Sequence, residues 1–207
     1  MNKYIVRGHS QSLTPLEVVR DIPADSIFFS VLHCWKGYHQ RPLDEKSVEL
    51  TTFLCPFGLG CWQFLWAPFG SSNISEFFEK KMTENLQGLE NHHKVVDDNL
   101  IHTSDTISHA VPVRQFLNRS REKNFRLSAE KFQYMKPSEE FSVLVVSKDG
   151  FHVQDRVIEA IRDFSTPKNK TDVCFFQEVC ESASPSRFSG QFRHGSVTGT
   201  SLEGCGV

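Results

Sequence analysis

The sequence predicts an α+β domain, an antiparallel sheet with helices packed on one face. Three observations lead there. Phe28-Phe-Ser-Val-Leu32 is a run of aromatic and β-branched residues of the kind that forms a buried strand. Ile74, Phe77, Phe78, Met82, Leu86 and Leu89 recur at helical spacing. Lys94–Ile101 and Phe141–Val153 have hairpin patterning, the first around Asp97-Asp98 and the second around Asp149-Gly150.

Taken in order, Thr14-Pro15 predicts a short helix, since proline suits the first turn. The Phe28–Leu32 strand leads to a turn through Lys36-Gly37 and a second extended stretch, Leu50-Thr-Thr-Phe-Leu54. Ser72–Glu76 has the form of a helix start, with Asn73 as cap and Glu76 three residues on, and Gly88 marks the helix end. After the acidic hairpin a second long helix is expected from near Asp105 towards Lys123. Pro112 lies inside it, which predicts a bend or a fault, because an interior proline costs about 3 kcal/mol. Phe141–Val146 and Phe151–Val153 read as strands. Asp155 is a candidate cap for a helix through Phe164, and Thr171 or Asp172 starts another. Beyond Glu181 the chain is rich in Ser and Gly without periodicity, and 182–207 is read as a disordered tail.

A chain of 207 residues has room for one ordinary domain and a tail, and its eighteen phenylalanines can supply a core. The apolar stretches around Trp62–Phe69 and Phe141–Val146 are far too short to span a bilayer, so no membrane role is expected. Met1–Arg7 lacks the apolar run of a secretory signal, and the reading is intracellular, with cytoplasm and nucleus not separated. A net charge of −2 argues against strong nucleic-acid binding by the chain alone, since such affinity comes mostly from neutralised phosphates. Arg114, Arg119, Arg121, Lys123, Arg126 and Lys131 concentrate positive charge, either as a solvated helix face or as a nucleic-acid track. The cysteine pairs Cys55/Cys61 and Cys174/Cys180 are spaced more widely than zinc knuckles and read as reduced thiols. An unrelated zinc site using His92, His93 and cysteines is the weaker alternative, with those histidines expected to face solvent.

Asp97 and Asp98 are an unusual pair to find between apolar residues. Two carboxylates held together repel unless a cation lies between them, and Mg²⁺ prefers such hard oxygen ligands. On the dipeptide alone, a solvated acidic turn is the preferred reading.

The surrounding motifs bear on that choice. Gly37-Tyr38-His39-Gln40-x-Pro42-Leu43, Leu50-Thr-Thr-Phe53-x-x-Pro56-Phe57-Gly58, Ala67-Pro68-Phe69-Gly70 and Val95-Val-Asp97-Asp98 occur in that order. Ala129-Glu-Lys131-x-x-Tyr134, Lys148-Asp-Gly150 and Pro167-x-Asn169-x-Thr171-Asp172 come after them. This series resembles the reverse transcriptase of gypsy-type long-terminal-repeat retrotransposons, from about residue 1 to residue 180. The resemblance implies a right-hand polymerase palm with the fingers largely missing. It implies RNA-directed DNA polymerisation by two-metal nucleotidyl transfer, with two Mg²⁺ ions, a template-primer of RNA or DNA, and deoxynucleotides. It divides the chain into 1–30, a remnant of the fingers and lead-in; 31–153, the palm; 154–181, a helical connection; and the tail, 182–207. By the same resemblance Asp97 and Asp98 are the catalytic metal ligands. Tyr38 lies under the nucleotide sugar, and Phe69 and Gly70 line the incoming nucleotide.

The chain departs from that pattern where the chemistry is most exacting. His33, in Val31-Leu-His-Cys-Trp-Lys-Gly37, stands where the family places a third metal-binding aspartate. Imidazole is a borderline nitrogen ligand and supplies no negative charge, whereas Mg²⁺ favours anionic oxygen. Leu59-Gly-Cys61 lengthens the hairpin before Ala67-Pro68, and Val143-Leu144 replaces a glycine turn. These departures predict a degenerate copy whose synthesis rate is lowered by orders of magnitude. The alternative is a non-enzymatic remnant, inert or kept as an interaction or nucleic-acid-binding module, associating through exposed palm faces.

Overall fold

The structure is a computed structural model and describes Ile5, residues 13–174 apart from Phe57 and Leu59, and Phe176. The tail at 182–207, with Cys205, and Cys180 before it lie outside the described residues. In chain order the elements are α1 (Pro15–Arg20), β1 (Phe28–His33), a 3-10 turn (Gly37–Gln40), α2 (Glu45–Leu50), β2 (Phe53–Leu54) and β3 (Cys61–Trp62). They continue with α3 (Ile74–Leu86), β4 (His92–Val95), β5 (Asp98–Thr103), α4 (Thr106–Glu122), β6 (Gln133–Lys136), β7 (Ser138–Phe141), β8 (Leu144–Ser147), β9 (Gly150–Val153) and α5 (Asp155–Arg162).

The main sheet has the order β4-β5-β1-β6 and is antiparallel throughout. β1 alternates between its two faces. Phe29 and Val31 join Leu100 of β5 on one side, and Leu32 joins Ile101 on the other. Against the second side pack Phe78, Met82 and Leu86 of α3 and Val113 and Phe116 of α4. The long helices α3 and α4 share this face, but α1 packs on the other, which corrects the expectation of helices on one face alone. The opposite face is covered too, by Leu16, Val18 and Val19 of α1 and by the β7-β8-β9 meander through Phe141, Leu144 and Val146. The reason is that the middles of β1 and β5 are buried on both sides, so a single layer of helices could not cover them. α1 is held by a reciprocal cap: Glu17 N donates to Thr14 Oγ1 at 3.3 Å, and Thr14 N donates to the Glu17 carboxylate at 2.8 Å.

Several local expectations are corrected. Leu50–Leu54 is not one extended stretch: Leu50 ends α2, and only Phe53 and Leu54 are extended. The Asp44 carboxylate accepts from Ser47 N at 3.1 Å, and this cap starts a helix that draws Leu50 out of the strand its neighbours favour. Asn73 does precede α3, but its side chain makes no cap bond; its Oδ1 accepts from Ser71 Oγ at 2.8 Å. Pro112 lies inside α4, which runs as one helix from Thr106 to Glu122. Asp105 caps it through Ser108 N at 2.8 Å, and the burial of Val113 and Phe116 beside the proline offsets the lost backbone bond. Phe141–Val146 is split by a turn at Ser142, whose φ is +58°. Gln154, not Asp155, is the cap residue of α5, and its amide donates to Ser142 O at 3.0 Å. The last helix begins at Lys170, and Asn169 Oδ1 accepts from Asp172 N at 2.9 Å.

His92 and His93 do not face solvent. His92 Nε2 lies 3.1 Å from Asn99 Oδ1 and its ring packs on Phe116, while His93 stacks on buried His102. No cysteine joins them in a metal-holding group, so the alternative zinc reading has no geometric basis among the described residues. No helix among the described residues is long and apolar enough to cross a membrane. The β2–β3 ribbon and the segment after it leave Leu54, Trp62, Leu65 and Trp66 exposed.

Phe116, with no exposed surface, packs in one core cluster with side chains of α3 and β5. Phe116→Ala will cost about 3–5 kcal/mol, read as a lower urea midpoint. Burial pushes His92 and His102 down to about 4. Each ring then takes up its proton only on unfolding, so the unfolded chain binds more protons between about 4 and the ordinary 6.5. Stability will therefore fall as pH drops through that window, by up to about 1.4 kcal/mol per pH unit for each ring. Urea unfolding at about pH 7 and about pH 5 measures this, and His102→Gln will flatten the dependence.

Candidate metal centre

The centre forms where β1 ends beside the β4–β5 turn. The register sets His33 opposite Asp98, and it sets Val95 opposite Asp98 across the hairpin. Val96 and Asp97 are therefore the two turn residues, and Asp98 belongs to the strand. Val96 has φ +52°, a conformation that a β-branched residue rarely adopts. Partial burial of Val96 between the two core clusters holds it there. Cys34 N donates to Asp97 O at 2.9 Å, and the buried Asn99 amide donates to Asp97 O at 3.2 Å and to Leu32 O at 3.3 Å. Two of these bonds tie the hairpin to the end of β1, and the third, from Asn99 to Asp97 O, braces the turn itself.

His33 lies between the two carboxylates. Its Nε2 is 3.0 Å from Asp97 Oδ2, and its Nδ1 is hydrogen-bonded to Asp98 Oδ1. All three side chains are partly buried. Burial raises the Asp97 carboxyl above the usual range; the charge of His33 opposes this and that of Asp98 adds to it. Burial also pushes the Cys34 thiol up to about 12, with Asp97 contributing. One ligand atom from each of His33, Asp97 and Asp98 falls within 4.8 Å of the others, so the three could share one metal ion.

Of the other sequence-predicted residues, Tyr38 and Phe69 pack against each other. Tyr38 meets Phe69 edge-on at 5.6 Å between ring centroids and Phe78 at 5.5 Å. Burial raises the Tyr38 phenol, and the charges of Asp97 and Glu79 raise it further. Phe69 is largely exposed and Gly70 comes next with φ +87°, a backbone shape that favours glycine. Gly37 is required for a different reason: a Cβ there would lie 2.7 Å from the Phe78 ring.

Two positioning residues are not evident from sequence. Asn99 is fully buried and ties the hairpin to β1, and its one signal is an amide placed between Asp98 and an apolar pair. Gln40 accepts from Arg126 N at 2.6 Å and donates to Arg126 O at 3.0 Å, fixing the 3-10 turn to the segment after α4. No local pattern marks that contact, whose partners lie 86 residues apart.

No protein-family model matches the sequence. The chain is 31 % identical over 144 residues to the retrovirus-related Pol polyprotein from transposon gypsy of Drosophila melanogaster, covering 68 % of the chain and 14 % of that protein. It is 26 % identical over 151 residues to the Pol polyprotein from transposon 297 of the same organism, covering 72 % of the chain and again 14 % of the relative. A solved foamy viral protease-reverse transcriptase in complex with an RNA/DNA hybrid superposes with a TM-score of 0.72 at 15 % identity, over 86 % of this chain and 24 % of that one. A foamy viral protease-reverse transcriptase solved with double-stranded DNA gives 0.75 at 15 % identity, over 87 % and 31 %. The fold is thus that of reverse transcriptases. The chain is a reverse-transcriptase domain of the kind found in the Pol polyproteins of gypsy-type retrotransposons.

The burial difference between two thiols gives a direct check on the centre. Cys34 is almost wholly buried beside Asp97, whereas Cys61 is exposed. Iodoacetamide on the native chain will label Cys61 and spare Cys34, and Asn99→Ala, which removes the tie to Asp97 and Leu32, will expose Cys34 to labelling.

Proposed function

We propose that the chain is a reverse-transcriptase palm whose nucleotidyl-transfer site is closed by His33, so that templated DNA synthesis is lost or lowered by orders of magnitude. The observation that carries this reading is the position of the imidazole, with one nitrogen against Asp97 and the other against Asp98. Asp97 and Asp98 fill the role of catalytic metal ligands. Tyr38 supports the sugar of a deoxynucleotide, and Phe69 with Gly70 lines the same pocket. The reading draws support from the order of the motifs and from the packing of Tyr38 between Phe69 and Phe78. Nucleic acid is the proposed partner, in keeping with the RNA/DNA hybrid and double-stranded DNA bound by the foamy viral enzymes. The exposed apolar side chains on and after the β2–β3 ribbon are the proposed surface for association.

A pair of Mg²⁺ ions does not fit the residues present. Such ions are held by anionic oxygens and keep near-ideal octahedral shells. Here one of the three donors is an imidazole, and its two nitrogens fill the space between the remaining carboxylates. Two carboxylates must then hold two divalent ions beside a triphosphate, with no third carboxylate from β1 to help.

Primer extension on an RNA template tests the reading, comparing the natural chain with His33→Asp and Asp97→Asn in Mg²⁺ and in Mn²⁺. His33→Asp is expected to raise synthesis by about 100-fold or more, equivalent to about 2.7 kcal/mol of barrier. Adding Asp97→Asn to it will abolish the gain. Equal synthesis by the natural chain and His33→Asp would remove His33 as the limiting residue, as would no synthesis by either.

A further inference from the structure

We propose that His33 turns the centre into a site for one late first-row divalent ion of the zinc class, bound through His33 Nε2 and Asp97 Oδ2. This rests on the reading of Asp97 and Asp98 as a former magnesium site. The two donors can reach one ion together. Zinc binds imidazole nitrogen and carboxylate oxygen at about 2.0–2.2 Å, and donor atoms 3.0 Å apart can both lie at that distance from one metal, at an angle of about 90° that opens to tetrahedral when they part by about 0.4 Å. The arrangement also holds the ring in place. Asp98 accepts from Nδ1, the nitrogen away from Asp97, which is the carboxylate–histidine–metal pattern that fixes ring orientation and increases ligand basicity. Replacing a carboxylate by imidazole moves the donor set towards zinc and its late first-row neighbours and away from magnesium. The centre is also held in advance: the bonds from Cys34 N and Asn99 to Asp97 O fix the turn whether or not an ion is present. Two protein ligands leave further positions for water or for phosphate oxygens.

His33 is well separated in role from the other buried histidines. His92, His102 and His109 each face a neutral amide or hydroxyl and not a carboxylate. Zinc binding by this chain, if it comes from the centre, must therefore depend on His33 and Asp97.

The test is calorimetric titration of the full chain with Zn²⁺ and with Mg²⁺, together with the visible spectrum of the Co²⁺ form. The expected result is one Zn²⁺ per chain, bound at least about 100-fold more tightly than Mg²⁺. His33→Asp will lower that ratio at least about tenfold, and Asp97→Asn will weaken Zn²⁺ by a similar factor. Asp98→Ala will weaken it by about 10–100-fold, and Asp98→Asn, which keeps an acceptor oxygen at Nδ1, will recover most of the loss. Zn²⁺ binding unchanged in His33→Asp, or a sulfur-to-cobalt charge-transfer band, would overturn the proposal. Should a variant fail to fold, imidazole NMR of the natural chain decides: Zn²⁺ must shift the His33 nitrogens more than those of His92 and His102, and the reverse overturns it. Zinc binding as described with no gain in synthesis by His33→Asp would sink the proposed function and leave this site standing. A gain in synthesis with no zinc binding by the natural chain would do the opposite.

Discussion

A slip of one residue between antiparallel strands sends every side chain to the wrong face, and in β1 and β5 both faces are already occupied. Phe29, Val31 and Leu100 need α1 and the meander, while Leu32 and Ile101 need α3 and α4. The register of these two strands is therefore fixed twice over. It is also what sets His33 opposite Asp98, so the geometry of the centre is a by-product of hydrophobic packing on either side of it. The acidic turn gains its own restraint from Asn99 and Cys34, which keep Asp97 against the end of β1 despite the strained backbone at Val96.

Buried polar groups reinforce the same assembly. His109 of α4 reaches into the sheet, with Nε2 at 2.7 Å from Ser30 Oγ and Nδ1 at 2.7 Å from Thr103 Oγ1. Ser30 Oγ in turn accepts from Met135 N at 2.9 Å. One ring thus links α4, β5, β1 and β6. A polar network of this kind gives little net stability, but breaking one member leaves the others unsatisfied, which makes the arrangement specific. Pro112 is tolerated in α4 partly because the helix is anchored on both sides of it, by His109 before and by Val113 and Phe116 after.

Much of the fold is legible from residue order alone. The strand at Phe28–Leu32, the helix from Ile74, the acidic hairpin and the helix start near Asp105 all appear where local pattern and long-range packing agree. Departures arise where a local hydrogen bond outweighs propensity. Asp44 starts a helix that takes in Leu50, and Ser71 draws the Asn73 side chain away from its helix. His92 and His93 read as solvent-facing because the sequence shows two polar residues, while the fold supplies Asn99, Phe116 and His102 as their neighbours. At the centre, the residue types and their order mark His33, Asp97 and Asp98 together. What order does not convey is that the imidazole lies between the carboxylates and not merely near them.

The place of His33 in the register has a genetic consequence. Either histidine codon becomes an aspartate codon by changing its first base alone. Because β1 already presents residue 33 to Asp98 and is held from both faces, the shorter side chain needs no movement of the backbone to take its place. The centre with an imidazole between its carboxylates and one with three carboxylates are thus neighbours in mutational space, a single base apart on an unchanged scaffold.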